Sequence, residues 1–175
     1  MTPFLDSNVV LYALGDDERK RAIACALLAR QPTISTQVIN ECSHVLRRKQ
    51  QFAPADVARL MEDVAQVARV VDVGMPQIRH AWEIAARYRY GHYDSLIVAT
   101  AISAGCLILY TEDMRHGQSI DRKRPAPPPV KRLRCGASSW FSRGGRDGQG
   151  RGPGGALATA CGRVAGERRH SKGLL

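Results

Sequence analysis

The stretch YGHYDSLIVATAISAGCLILYTED, residues 90–113, constrains the fold more than any other part of the chain. Leu96 to Ile102 is apolar at every position but Thr100. A helix with that pattern has no polar side and must be buried on several faces. Gly105 stops it, and Cys106 to Tyr110 follows as a short continuous apolar run, the mark of a buried strand. Covering both requires a layered domain. Yet carboxylates stand at the ends of these runs: Asp94 before the first, Glu112 and Asp113 after the second.

The same alternation runs upstream. Thr2 to Leu5 is a short apolar segment ending at Asp6, and SNVVLYAL reads as a helix with Ser7 or Asn8 as its N-cap. DDERKRAIACALLAR predicts a helix with an acidic first turn and an apolar stripe of Ile23, Leu27 and Leu28. Thr33 to Ser35 is a short link or strand, and Thr36 opens a helix through Lys49. Pro54 fits the first turn of the next helix, RVVDV is strand-like, and PQIRHAWEIAARY is a helix with Trp82 expected in the core. Asp94 is expected to open the apolar helix, which ends near Ala104. Helices alternating with short apolar strands imply an α/β layer with a parallel sheet.

Charge divides the 175 residues in two. The formal net charge is +10, yet residues 1–121 hold 13 Lys and Arg against 14 Asp and Glu. Residues 122–175 hold 13 basic residues, 2 acidic ones and 11 of the 16 glycines. Basic character therefore belongs to the second segment. Its Gly/Pro/Arg-rich composition cannot bury enough apolar surface to offset chain entropy, so a domain over 1–121 and a disordered tail over 122–175 are expected. The abrupt change at Arg122 fits equally well a polyanion-binding tail or translation in a shifted frame. Five scattered cysteines with no C-x-x-C pair argue against a disulfide framework and a structural zinc site. No signal peptide or membrane-spanning run is evident, which makes a reduced, cytoplasmic protein the expectation.

Four carboxylates have informative positions. Asp6 and Asp113 follow strands that plausibly share one parallel sheet, and ligand sites form beyond the carboxyl ends of such strands. Glu41 lies at the edge of the apolar face formed by Val38, Cys42, Val45 and Leu46. Taken singly, Asp6 and Asp94 serve equally well as helix caps, and Glu41 and Asp113 as ordinary boundary acids. Taken together, they would converge on one sheet edge without Lys or Arg between them. A hard divalent cation, Mg²⁺ or Mn²⁺, relieves the resulting repulsion and supports in-line attack of water on phosphorus.

Four ordered blocks, FLDSNVVLYAL, STQVINECSHVLRRK, YGHYDSLIVATAISAGCLILYTEDM and HGQSID, resemble the motifs of PIN-domain ribonucleases, and among them VapC-type toxins of bacterial toxin–antitoxin pairs. The resemblance covers about Thr2 to Asp121. It implies a Rossmann-like α/β/α sandwich with a short parallel sheet and an acidic Mg²⁺ pocket that cleaves RNA endonucleolytically. The family's acids fall on Asp6, Glu41, Asp94 and Asp113, with Asp6 and Asp94 as metal ligands and Ser7 or Asn8 in support. It also implies a small antitoxin partner and a homodimer. Relatives continue with a short final strand, where this chain has RKRPAPPPVKRLRCG. Proline does not serve in a central strand, which leaves open whether the final edge strand is present.

Other polar residues have two readings. Arg89, His92, Arg115 and His116 flank the expected pocket, where they would meet RNA phosphates or simply face solvent. Arg47, Arg48 and Lys49 suit a helix C-terminus. Glu112 reads as a bystander. Two other function classes compete with a nuclease. An aspartyl-phosphate phosphotransferase would need a second Asp at position 8, which is Asn, or a Lys after a late strand, which is missing. A non-catalytic RNA-binding or partner-binding protein would use the four acids as caps.

Overall fold

The computed structural model describes residues 2–117 and 119–120, together with the backbone of a strand at Leu133–Gly136. The elements in chain order are β1 Phe4–Leu5, α1 Ser7–Leu14, α2 Glu18–Leu28, β2 Thr33–Ser35, α3 Thr36–Arg48, α4 Pro54–Val67, β3 Arg69–Val71, α5 Met75–Tyr88, α6 His92–Ser103, β4 Ile108–Tyr110, β5 Ser119–Ile120 and β6 Leu133–Gly136. The sheet order is β3-β2-β1-β4-β6-β5; neighbours are parallel except β5, which runs antiparallel to β6.

Topology places the site. The crossovers β1 to β2 and β2 to β3 step one way across the sheet, and the crossover from β3 returns past β1 to β4. Right-handed connections therefore put α1–α4 on one face and α5 and α6 on the other. The helix contacts agree: α1 packs on α2 and α3, α3 on α4, and α5 on α6. This is an α/β/α sandwich. The order reverses between β1 and β4, the crevice where ligands bind in open parallel sheets.

Sequence causes are visible at each element. Phe4, Leu5, Ile34 and Leu109 have no exposure, because a sheet covered on both faces buries consecutive residues. In α6, all seven residues from Ser95 to Ala101 are buried, as its apolar pattern requires. Val38, Cys42 and Leu46 form the buried stripe of α3. Among the described residues, no helix is long and apolar enough to cross a membrane.

Three local expectations change. The N-cap of α1 is Asp6, with Ser7 already the first helical residue, because the Asp6 carboxylate accepts from the Ser7 N–H at 2.6 Å. Helix α6 begins at His92 after Gly91, so Asp94 is its third residue and makes no cap bond there. Trp82 is 54% exposed. The buried stripe of α5 runs through Ala81 and Ile84, and a residue 100° round the helix from Ala81 faces away from it.

The prolines at 125 and 127–129 precede β6 and do not enter it. Leu109 pairs with Cys135 and Tyr110 with Gly136, so β6 covers the edge of β4. The expectation of a disordered or frame-shifted tail otherwise lies outside the described residues.

Candidate active site

The site is built at the carboxyl ends of β1 and β4. These strands pair as Phe4 with Leu109 and Leu5 with Tyr110, and the Asp6 N–H extends the ladder to the Tyr110 carbonyl at 3.0 Å. That register brings Asp6 level with Thr111. The Thr111 hydroxyl donates to Asp6 Oδ2 at 2.6 Å, and Asp6 Oδ1 accepts from the Ser7 N–H and, at 3.2 Å, from its hydroxyl.

Asp6 is only 4% exposed. Burial pushes its carboxyl up to about 6, against the hydrogen bonds from Thr111 and Ser7, and the nearby charge of Asp113 adds to the rise. A carboxylate with no cationic partner in a desolvated crevice holds its proton more tightly.

Asp113 is exposed at the rim. Asn8 Nδ2 donates to its Oδ2 at 2.8 Å, while its own N–H donates to Thr111 Oγ1 at 3.2 Å. Asn8, the second residue of α1 after the Asp6 cap, thus fixes a carboxylate on the β4 side of the crevice.

Asp94 enters from α6. Its carboxyl is raised by burial first, then by the charges of Asp113 and Glu41. A Cβ on Gly91 would come 3.2 Å from Asp94 Oδ2, so the absence of a side chain there makes room for the carboxylate. Glu41 follows from the direct passage of β2 into α3, where the Ser35 hydroxyl accepts from the Val38 N–H at 3.3 Å. Gln37 donates to Glu41 Oε1 at 2.7 Å. The Cys42 thiol, raised by burial first, is raised further by the nearby charges of Asp6 and Glu41.

The four acids singled out in the sequence therefore share one electrostatic environment, linked through Asp113 and Asp94. Ser7 and Asn8 both bind members of the set. Among the described residues, no three His, Cys, Asp or Glu side chains form a ready cage for a metal ion. Arg89, His92, Arg115 and His116 are all exposed. At the far end of α3, Arg47 donates to the Phe52 carbonyl at 2.8 Å and so pins a loop.

Three contributors escaped the sequence reading. Thr111 joins Asp6 to Asp113, and its only sequence signal is a hydroxyl directly after a buried strand. Gln37 stands four residues before Glu41, the spacing of facing helix positions. Glu112, next to Asp113, has partners the sequence did not signal: it accepts from the Tyr12 hydroxyl and from Lys20 Nζ at 3.4 Å.

The PIN domain family model matches residues 4–119, and the chain belongs to that family. Comparison with curated proteins gives no match. Among solved structures, the chain is similar to a toxin–antitoxin complex from Klebsiella pneumoniae, at 15% identity and a TM-score of 0.53, covering 64% of this chain and 87% of the other. It is similar to the toxin VapC20 of Mycobacterium tuberculosis, described as cleaving the sarcin–ricin loop, at 20% identity and a TM-score of 0.51, covering 62% and 87%. It is also similar to DNA-bound VapBC from Salmonella typhimurium, at 20% identity and a TM-score of 0.51, covering 66% and 89%.

Proposed function

We propose that this chain is a Mg²⁺-dependent endoribonuclease that hydrolyses RNA phosphodiester bonds and acts as the toxin of a toxin–antitoxin pair. The observation that carries the reading is the electrical coupling of Asp6, Glu41, Asp94 and Asp113 at the switch point of the sheet. Repelling carboxylates, with Asp6 and Asp94 holding their protons more tightly than usual, are what a hard cation stabilises.

The donor set fits Mg²⁺, with Mn²⁺ as a substitute. Mg²⁺ takes one or two carboxylates and keeps several waters, so a full protein cage is not needed. Asp6 and Asp94 would hold it, and when bound it supplies Lewis acidity and an activated water for in-line attack. Thr111 and Ser7 orient the Asp6 carboxylate, and Asn8 orients Asp113. Glu41 and Asp113 would then hold the attacking water and accept its proton. Arg89, His92, Arg115 and His116 would contact phosphates of the RNA without selecting a base.

The fold of toxin–antitoxin proteins supports the biological role. The partner would be a small antitoxin whose C-terminal segment covers the acidic pocket, and the chain would act in the cytoplasm as a homodimer. The test is cleavage of RNA by the full chain. Activity that requires Mg²⁺ or Mn²⁺, stops with chelator and is lost in both Asp6→Asn and Asp94→Asn is expected. A chain that binds RNA equally well but never cuts it would favour the non-catalytic reading.

A further inference from the structure

Beside the acidic pocket lies a second polar cluster that the hydrolysis does not use. Glu112 directly precedes Asp113, and its carboxylate accepts from the Tyr12 hydroxyl on α1 and from Lys20 Nζ on α2. Lys20 Nζ also donates to the Tyr12 oxygen at 3.2 Å and lies 4.2 Å from the centre of that ring. The Lys20 and Glu112 side chains are 11% and 27% exposed, so solvent screens the pair weakly. Lysine so far from water needs a structural reason.

While this pair holds, the Glu112 carboxylate is bonded to Tyr12 and Lys20. The pair also ties the loop after β4 to α1 and α2. That loop carries Thr111 and Asp113, and its position decides whether Thr111 reaches Asp6 and whether Asp113 meets Asn8.

We infer that Lys20, Tyr12 and Glu112 form a latch that holds the loop after β4 against α1 and α2 and so keeps Thr111 and Asp113 in place beside the cation site. They are positioning residues and touch neither substrate nor cation. This inference rests on the reading of the four acids as a metal pocket.

Charge sign separates a latch from simple electrostatics. Removing a positive charge near a cation site strengthens cation binding if only Coulomb attraction matters. If Lys20 is a latch, its removal weakens binding, because Asp113 loses its place. The experiment is calorimetric titration of the full chain with Mn²⁺, together with thermal unfolding of the metal-free protein. Lys20→Met is expected to weaken Mn²⁺ binding about 3–10-fold, less than the roughly 10–100-fold for losing a direct partner of a ligand, because Lys20 acts through Glu112 and the loop. Tyr12→Phe, which changes no charge and removes one hydroxyl, is expected to weaken it about 2–5-fold. Lys20→Arg is expected to restore binding to within about 2-fold of the parent.

Equal or tighter Mn²⁺ binding by folded Lys20→Met would overturn the latch, and so would unchanged binding by Tyr12→Phe. If Lys20→Met does not fold, the Tyr12→Phe titration decides alone. A parent chain whose Mn²⁺ binding is absent, or is untouched by Asp6→Asn, would overturn the pocket reading and the latch with it.

Discussion

Thr111 and Asp6, 105 positions apart, are joined by a 2.6 Å hydrogen bond from hydroxyl to buried carboxylate. The same Thr111 oxygen accepts from the Asp113 N–H, so one side chain sets the spacing of two candidate ligand groups. Thr111→Val keeps the shape and removes both bonds. Because the Thr111 bond favours the charged form of Asp6, its loss moves that carboxyl above about 6. Expected at pH 7 are a stability loss of about 1.5–3 kcal/mol and weaker Mn²⁺ binding, with the stability loss shrinking near pH 4. Thermal unfolding across pH measures the first and calorimetry the second.

Asp6 itself is costly to the fold. Its folded carboxyl lies at about 6 against 3.8 unfolded, so the folded chain binds the proton more tightly. Stability from this group is therefore fully present below 3.8 and is lost as pH rises through about 6. Asp6→Asn should stabilise the metal-free chain by about 1–3 kcal/mol at pH 7, with the gain disappearing toward pH 4. Denaturant unfolding at both pH values tests this, and a destabilised Asn variant at pH 7 would contradict it.

Gly91 tests the placement of Asp94 without straining the backbone. Its φ of −58° and ψ of 159° suit alanine, so the main chain accepts Gly91→Ala. Unfolding should change by no more than about 1 kcal/mol. The new methyl would press on Asp94 Oδ2, and displacement of a few tenths of an ångström should lower RNA cleavage about 3–10-fold. Cleavage equal to the parent's would mean that Asp94 tolerates the shift.

Arg89 and Arg115 are exposed, and each lies within five residues of Asp94 or Asp113 in the chain. If they meet phosphates, Arg89→Gln and Arg115→Gln each raise KM for RNA and reduce the slope of log affinity against log salt by about 1. Their effect on kcat should be small. Binding measured from low to moderate salt distinguishes this from a purely structural role, which leaves the slope unchanged.

Strand β6 gives a last prediction. A chain ending after residue 121 lacks Leu133–Gly136 and leaves the β4 edge unpaired. Open edges invite association. Such a chain should unfold at least about 5 °C lower than one ending after residue 136 and self-associate on size-exclusion columns.

The chain's local chemistry determined its element order. Ser35 beside Val38, Pro54 at a first turn and the unbroken apolar run after Asp94 act within a few residues, so they are readable from sequence. The four acids were legible for the same reason: Asp6 and Asp113 follow strands, Asp94 lies in the first turn of a helix, and Glu41 borders the apolar face of α3. Caps were less so: Asp6 replaced Ser7 because a carboxylate reaches the first N–H, and Gly91 started α6 ahead of Asp94. Trp82 was misread because neighbouring helix positions differ by 100° and hydrophobicity alone does not tell which one faces the sheet.

Everything that joins the site across the sheet was decided by tertiary structure. The β1–β4 register brings Thr111 to Asp6 and Asn8 to Asp113, and helix packing brings Lys20 to Glu112. Those pairs lie some 90 to 105 positions apart, and their contacts come from non-local pairing geometry that no short window of residues encodes. Sequence alone named the acids; only the folded sheet set Asp6 and Asp113 around one Thr111 hydroxyl.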